Sequence, residues 1–125
     1  MVGEQKTILV VEDEEETAEL FSEMLKVSGF RVLNSSQSKH ALDMIREKPP
    51  NGILLDIMLP DISGLEILRL IRHDPELSRI PVVVVSAKTL PSDVKAGLEA
   101  GATDYLSKPV SFHDLKQSIE KAFIE

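Results

Sequence analysis

The chain's 125 residues, 42% hydrophobic and 28% charged, fit one globular domain large enough to bury a core. The absence of cysteine excludes disulfides and thiolate metal sites, and no apolar run nears the about 20 residues of a membrane helix; with no charged-then-apolar leader either, a cytoplasmic protein is the expectation. The net charge of -7 argues against non-specific nucleic-acid binding and leaves room for a cation or a basic partner.

Met1–Lys6 is a polar lead-in to Thr7–Val11, a β-branched run that reads as a buried first strand and ends in the acids Glu12 to Glu16. From about Glu14 to Ser28, Ala18, Phe21, Met24 and Leu25 recur at helical spacing, and Gly29 is the stop. Acids in the first turn suit the positive end of the helix dipole. Phe30–Leu33 predicts a short second strand, and Ala41, Leu42 and Ile45 mark a second helix ended near Pro49. Pro49-Pro50-Asn51-Gly52 is a turn that launches Ile53-Leu54-Leu55-Asp56, an apolar run buried on both faces that stops at a carboxylate. Leu65, Leu68 and Ile71 give a third helix from about Gly64. Pro81–Ser86 is the fourth strand, Val94–Ala100 a short fourth helix closed by Gly101, and Thr103–Leu106 the fifth strand, broken by Lys108-Pro109. Phe112, Leu115, Ile119, Ala122 and Phe123 make the last amphipathic helix. This (βα)₅ alternation predicts an α/β fold: a parallel five-stranded sheet, doubly wound, with helices on both faces and right-handed crossovers. One domain spans 1–125, with about 6–124 as its folded core.

In such sheets ligands bind outside the carboxyl ends of the strands. Those ends carry Glu12 and Asp13, then Asp56, Ser86 and Lys108. Each alone has a plainer reading: Asp56 capping a turn, Glu12 or Asp13 as a helix cap, Ser86 as a turn residue, Lys108 as a solvated charge. Together they place three carboxylates, a hydroxyl and an ammonium on one rim. Clustered carboxylates repel, and a hard divalent ion such as Mg²⁺ offsets that. A hydroxyl and a lysine opposite suit anionic oxygens. Metal plus lysine is a phosphoryl-transfer arrangement, in which a carboxylate can be the nucleophile.

Four segments carry a resemblance: Val10-Val11-Glu12-Asp13, Leu55-Asp56-Ile57-Met58-Leu59-Pro60 with Gly64 downstream, Val85-Ser86-Ala87, and Asp104-Tyr105-Leu106-Ser107-Lys108-Pro109. Over essentially its whole length the chain resembles the receiver domain of two-component response regulators. The resemblance implies a flavodoxin-like sheet of order 2-1-3-4-5. It implies that Asp56 accepts a phosphoryl group from a sensor histidine kinase or a histidine phosphotransfer protein. Asp13, Asp56 and the backbone carbonyl of Met58 would ligate Mg²⁺, with Mn²⁺ as a substitute. Glu12 stands where the family often has Asp and would act through water. Ser86, Ala87 and Lys108 would meet phosphoryl oxygens, Tyr105 would move with Ser86, and Lys108-Pro109 would be a cis peptide. The surface of helix four, strand five and helix five would then control a downstream protein, without direct nucleic-acid or membrane contact. Such a protein is a signalling phospho-acceptor with self-catalysed phosphoryl transfer and dephosphorylation, not an enzyme with a turnover substrate.

Met58, two residues past Asp56, and Lys88, two past Ser86, would overhang the phosphoryl site and lengthen the lifetime of the phosphorylated state. The plainer reading of Lys88 is a solvated loop residue. His40, His73 and His113 fall on predicted helices as surface residues. A haloacid dehalogenase-type enzyme needs its Asp pair after strand one, where Asp13 is followed two on by Glu15. A flavodoxin-like electron carrier needs a hydroxyl- and glycine-rich phosphate loop there, and acids stand in its place. The remaining alternatives are a receiver-like adaptor that is not phosphorylated and a receiver excised from a longer multidomain regulator or hybrid kinase.

Overall fold

The computed structural model describes residues 5–124. Residues 1–4 of the predicted lead-in Met1–Lys6, and residue 125 of the predicted domain, lie outside the described residues. Strands β1 (Thr7–Val11), β2 (Arg31–Ser35), β3 (Gly52–Leu55), β4 (Val82–Ser86) and β5 (Asp104–Ser107) alternate with helices α1 (Glu15–Val27), α2 (Ser38–Glu47), α3 (Gly64–His73), α4 (Pro91–Glu99) and α5 (Phe112–Ile119). All pairings are parallel, in the order β2-β1-β3-β4-β5. Among the described residues, no helix is long and apolar enough to cross a membrane.

Apart from Thr7 at the start of β1 and Ser86 at the end of β4, the three central strands carry no polar side chain, because side chains alternate and both faces are covered. Leu9, Val11, Ile53, Leu55, Val82 and Val84 pack with Ala41 and Ile45 of α2 and Ile67, Leu68 and Ile71 of α3. Their neighbours Ile8, Val10, Leu54, Val83 and Val85 pack with Phe21, Met24 and Leu25 of α1 and Leu115 and Ile119 of α5.

Element ends differ from the sequence reading where they are polar. β2 starts one residue later and runs two further, to Ser35, because its ladder with β1 continues through Val11 opposite Ser35. α4 begins at Pro91, not Val94. Proline suits a first helical position, and the Asp93 carboxylate accepts the Leu90 N–H at 3.3 Å. The last helix is α-helical only to Ile119 and widens to a π-turn over Glu120–Ile124, which carries Phe123 edge-on to Phe30 at a centroid distance of 6.2 Å. β5 is displaced by one residue, to Asp104–Ser107.

Candidate functional site

A parallel sheet opens all its carboxyl ends onto one edge. There the backbone ladder fixes the first two acids: Asp56 N–H donates to Val11 O, and Glu12 N–H donates to Ser35 O, both at 3.0 Å. Asp56 and Glu12 are buried, 6% and 3% exposed, and Asp13 is exposed. One carboxylate oxygen of each of the three lies within 4.8 Å of the others. Lys108 reaches across from beyond β5, its Nζ 2.6 Å from Glu12 Oε1 and 3.0 Å from Asp56 Oδ2. The remaining oxygens are also engaged: Glu12 Oε2 accepts the Glu14 N–H at 3.2 Å and Asp56 Oδ1 the Met58 N–H at 2.9 Å.

Three carboxylates against one ammonium leave this rim with a surplus of two negative charges. Burial pushes the Glu12 carboxyl above its ordinary value; hydrogen bonds from Lys108 and the Glu14 N–H oppose this, and the charge of Asp56 adds to it. Burial works against the Lys108 ammonium, yet hydrogen bonds to Glu12 and Asp56 and their charges outweigh it, holding its pKa above the ordinary lysine value. The donor set is all hard oxygen, with no sulfur or imidazole, which fits Mg²⁺ or Mn²⁺.

The other predicted residues occupy the same rim with distinct ties. Ser86 ends β4, fully buried; its Oγ accepts the Lys88 N–H at 3.1 Å and its carbonyl the Lys108 N–H at 2.8 Å. Ala87 and Lys88 are exposed beyond it. Tyr105 Oη donates to the Lys88 carbonyl at 2.7 Å, so β5 is tied to the turn that follows β4. Burial raises the Tyr105 phenol. The ring of Tyr105 lies against Gly97 of α4, where a Cβ would approach it to 2.7 Å. Lys108-Pro109 is a cis peptide. Met58, 51% exposed, and Lys88 line one shallow cleft with Asp13 and Pro60. His40, His73 and His113 are exposed and do not belong to the acid cluster of the rim.

Gly64 explains why the loop after Asp56 can fold back. A Cβ there would lie 2.6 Å from both Asp56 O and Ile57 Cα, so only glycine lets α3 start so close to the acid. Gly64 N–H closes the turn onto Ile57 O at 2.9 Å. One residue of this loop escaped the sequence reading: Asp61, whose carboxylate accepts the N–H groups of Ser38 and Lys39 at the start of α2, both at 3.0 Å. The available signal was indirect: α2 has Gln37 at its N-cap and no acid in its first turn, so its free N–H groups needed an acceptor from elsewhere.

A parallel sheet that gathers two further acids and a lysine around one buried aspartate at its carboxyl edge defines the receiver class of signalling proteins. The family model of the response regulator receiver domain matches residues 8–120, and the chain belongs to that family. It is 38% identical over 106 residues to the polar-differentiation response regulator DivK of Brucella ovis, covering 85% of this chain and 86% of that protein. The receiver domain of a Pseudomonas aeruginosa sensor histidine kinase, solved with magnesium in its active-site cleft, superposes with a TM-score of 0.87 at 28% identity, covering 98% of this chain and 100% of that one. The Mn²⁺-bound response regulator Rcp1 gives a TM-score of 0.83 at 34% identity, covering 96% and 95%.

Proposed function

We propose that the chain is a single receiver domain over residues 1–125 that is phosphorylated on Asp56 with the help of Mg²⁺, or Mn²⁺ in its place. The supporting observation is the buried Asp56 carboxylate, 3.0 Å from Lys108 Nζ and within 4.8 Å of oxygens of Glu12 and Asp13. Asp13, Asp56 and the Met58 carbonyl would hold the ion. Glu12, held by Lys108 and the Glu14 N–H, would act through a water. When bound, the ion neutralises the surplus charge and draws in phosphoryl oxygens.

In the transfer, an Asp56 oxygen attacks phosphorus, and the bond from phosphorus to the imidazole nitrogen of a kinase or phosphotransfer protein breaks. Lys108 then exchanges a carboxylate partner for a phosphoryl oxygen. Ser86 supplies a hydroxyl once it gives up the Lys88 N–H, and the exposed Ala87 offers its backbone N–H beside it. Tyr105 is bonded to the carbonyl of that same Lys88, so a shift of this turn reaches β5. The phosphoryl group interacts differently with the two arrangements, and that difference shifts their populations. Leu90, Leu98 and Phe112, on and beside α4 and α5, are exposed apolar residues suited to a downstream protein. Met58 and Lys88, on the cleft beside Asp13, would slow water's approach to the acyl phosphate. Residence in the cytoplasm, beside such kinases, belongs to the same reading.

The test is intact mass after incubation with acetyl phosphate and Mg²⁺. The parent gains one phosphoryl group and Asp56→Asn none; an adduct of equal strength on the variant would overturn the assignment.

A further inference from the structure

The loop after β3 carries the Met58 backbone that the metal reading uses, and its far half is held by α2. Asp56 Oδ1 accepts the Met58 N–H at 2.9 Å, and Leu59 N–H turns back to Ile57 O at 3.1 Å. Pro60 has no N–H to give. The next two residues are bonded to α2. Asp61 Oδ1 and Oδ2 take the N–H groups of Ser38 and Lys39, and the fully buried Ser38 Oγ donates to Ile62 O. The segment from Met58 to Ser63 is thus pinned near one end by Asp56 and at the other by the first turn of α2. Leu59 and Ile62 add apolar contact with the core but fix no backbone direction.

Asp61 is exposed, and a solvated carboxylate that merely caps a helix needs no particular loop. Here the cap comes from a different segment, 23 residues away in sequence, while α2's own N-cap residue Gln37 makes no side-chain cap bond. We infer that Asp61 is a positioning residue for the metal site: by clamping the loop to α2 it holds the Met58 carbonyl and the Asp56 carboxylate in ligating geometry. The inference rests on the metal reading given above. It assigns the residue a role beyond helix capping, and the two roles separate by experiment.

Gln37 has extended backbone, φ -132° and ψ 138°, as an N-cap residue requires. In Asp61→Ala the cap is lost and the clamp loses two of its three bonds. In the double variant Asp61→Ala/Gln37→Asp the helix regains a local cap and the charge is restored, but the loop keeps only the Ser38 Oγ–Ile62 O bond to α2. Mn²⁺ affinity is read by electron paramagnetic resonance, the melting temperature without metal by calorimetry, and exchange of the Met58 amide by hydrogen-deuterium exchange. For the clamp, Asp61→Ala binds Mn²⁺ about tenfold more weakly, the low end of what supporting residues contribute to metal sites. The double variant recovers its melting temperature but not its affinity, and the Met58 amide exchanges faster in both variants. Recovery of affinity together with melting temperature would reduce Asp61 to a cap and overturn the inference, as would unchanged affinity in Asp61→Ala. Asp13→Ala is the control for the underlying reading: if the parent binds no Mn²⁺, or if Asp13→Ala binds it as well as the parent, the metal site itself falls and the clamp with it.

Discussion

The two ends of the sheet hold charge in opposite ways. At the amino end, the half-buried Arg72 of α3 donates through Nε to Gly101 O at 2.8 Å, and through Nη1 to Ser78 O at 3.1 Å and Ile80 O at 2.6 Å. Among the described residues no carboxylate pairs with it; fixed carbonyl dipoles from the segments before β4 and β5 solvate it. At the carboxyl end three acids share one ammonium and remain two charges in surplus. A charge matched by backbone dipoles is finished and serves as a staple. A surplus of like charge is unfinished, and only something from outside the chain completes it. The first costs nothing further on binding; the second is destabilised until its ligand arrives.

The largest expected effect breaks the staple. Arg72→Met keeps the stem and removes every donor, leaving the Gly101, Ser78 and Ile80 carbonyls to water or to nothing. Unsatisfied buried groups cost about 1–3 kcal/mol each, and partial exposure lets water recover some of that, so about 2–3 kcal/mol in total is expected. Arg72→Lys should recover only a fraction, because an ammonium lacks the planar fork that reaches several carbonyls at once. Urea unfolding with and without Mg²⁺ measures both, and the increment from Mg²⁺ should equal the parent's. A variant that also lost the Mg²⁺ increment would show that the two ends are not independent.

A middle-sized effect probes what surrounds the unfinished end. Met58 and Lys88 share a cleft with Asp13, one apolar and one cationic. Replacing both with Ala should shorten the aspartyl-phosphate lifetime about tenfold, or ~1.4 kcal/mol of barrier. Decay is followed in Mg²⁺ after the phosphodonor is removed. Equal or slower decay would mean that the rim's chemistry is complete without them.

The same contrast explains what could be read in the sequence. Glu12, Asp13 and Asp56 were legible because they follow apolar runs, and Lys108 because it stands between a short strand and Pro109; parallel strands deliver all such ends to one edge. The central strands were legible because burial on both faces leaves unbroken apolar runs. Asn34 and Ser35 were missed as strand because an edge ladder needs backbone groups and not apolar side chains. Arg72 and Asp61 were illegible for a related reason. Their partners are carbonyls and N–H groups of residues 78, 80, 101, 38 and 39, and every residue type offers those.

Asp61 is the case that sharpens the contrast, because it lies near the unfinished end yet is satisfied as Arg72 is, with the signs exchanged. The N–H groups of Lys39, first, and of Ser38 hold its carboxyl at about 2. An unfolded aspartate titrates near about 3.9. The folded value is therefore the lower one, so the ionised form is favoured by folding. Its contribution is complete above about pH 4 and is lost as pH falls through about 2. The melting-temperature difference between the parent and Asp61→Ala should stay level from pH 7 to 5 and then narrow steadily toward pH 3. It is the smallest of the effects, since the group is exposed and salt screens it. The same scan in 1 M NaCl should reduce the plateau only in part, because short N–H bonds persist where long-range attraction is screened. A difference that held constant down to pH 3 would show that the ionised carboxylate is not what those two N–H groups recognise.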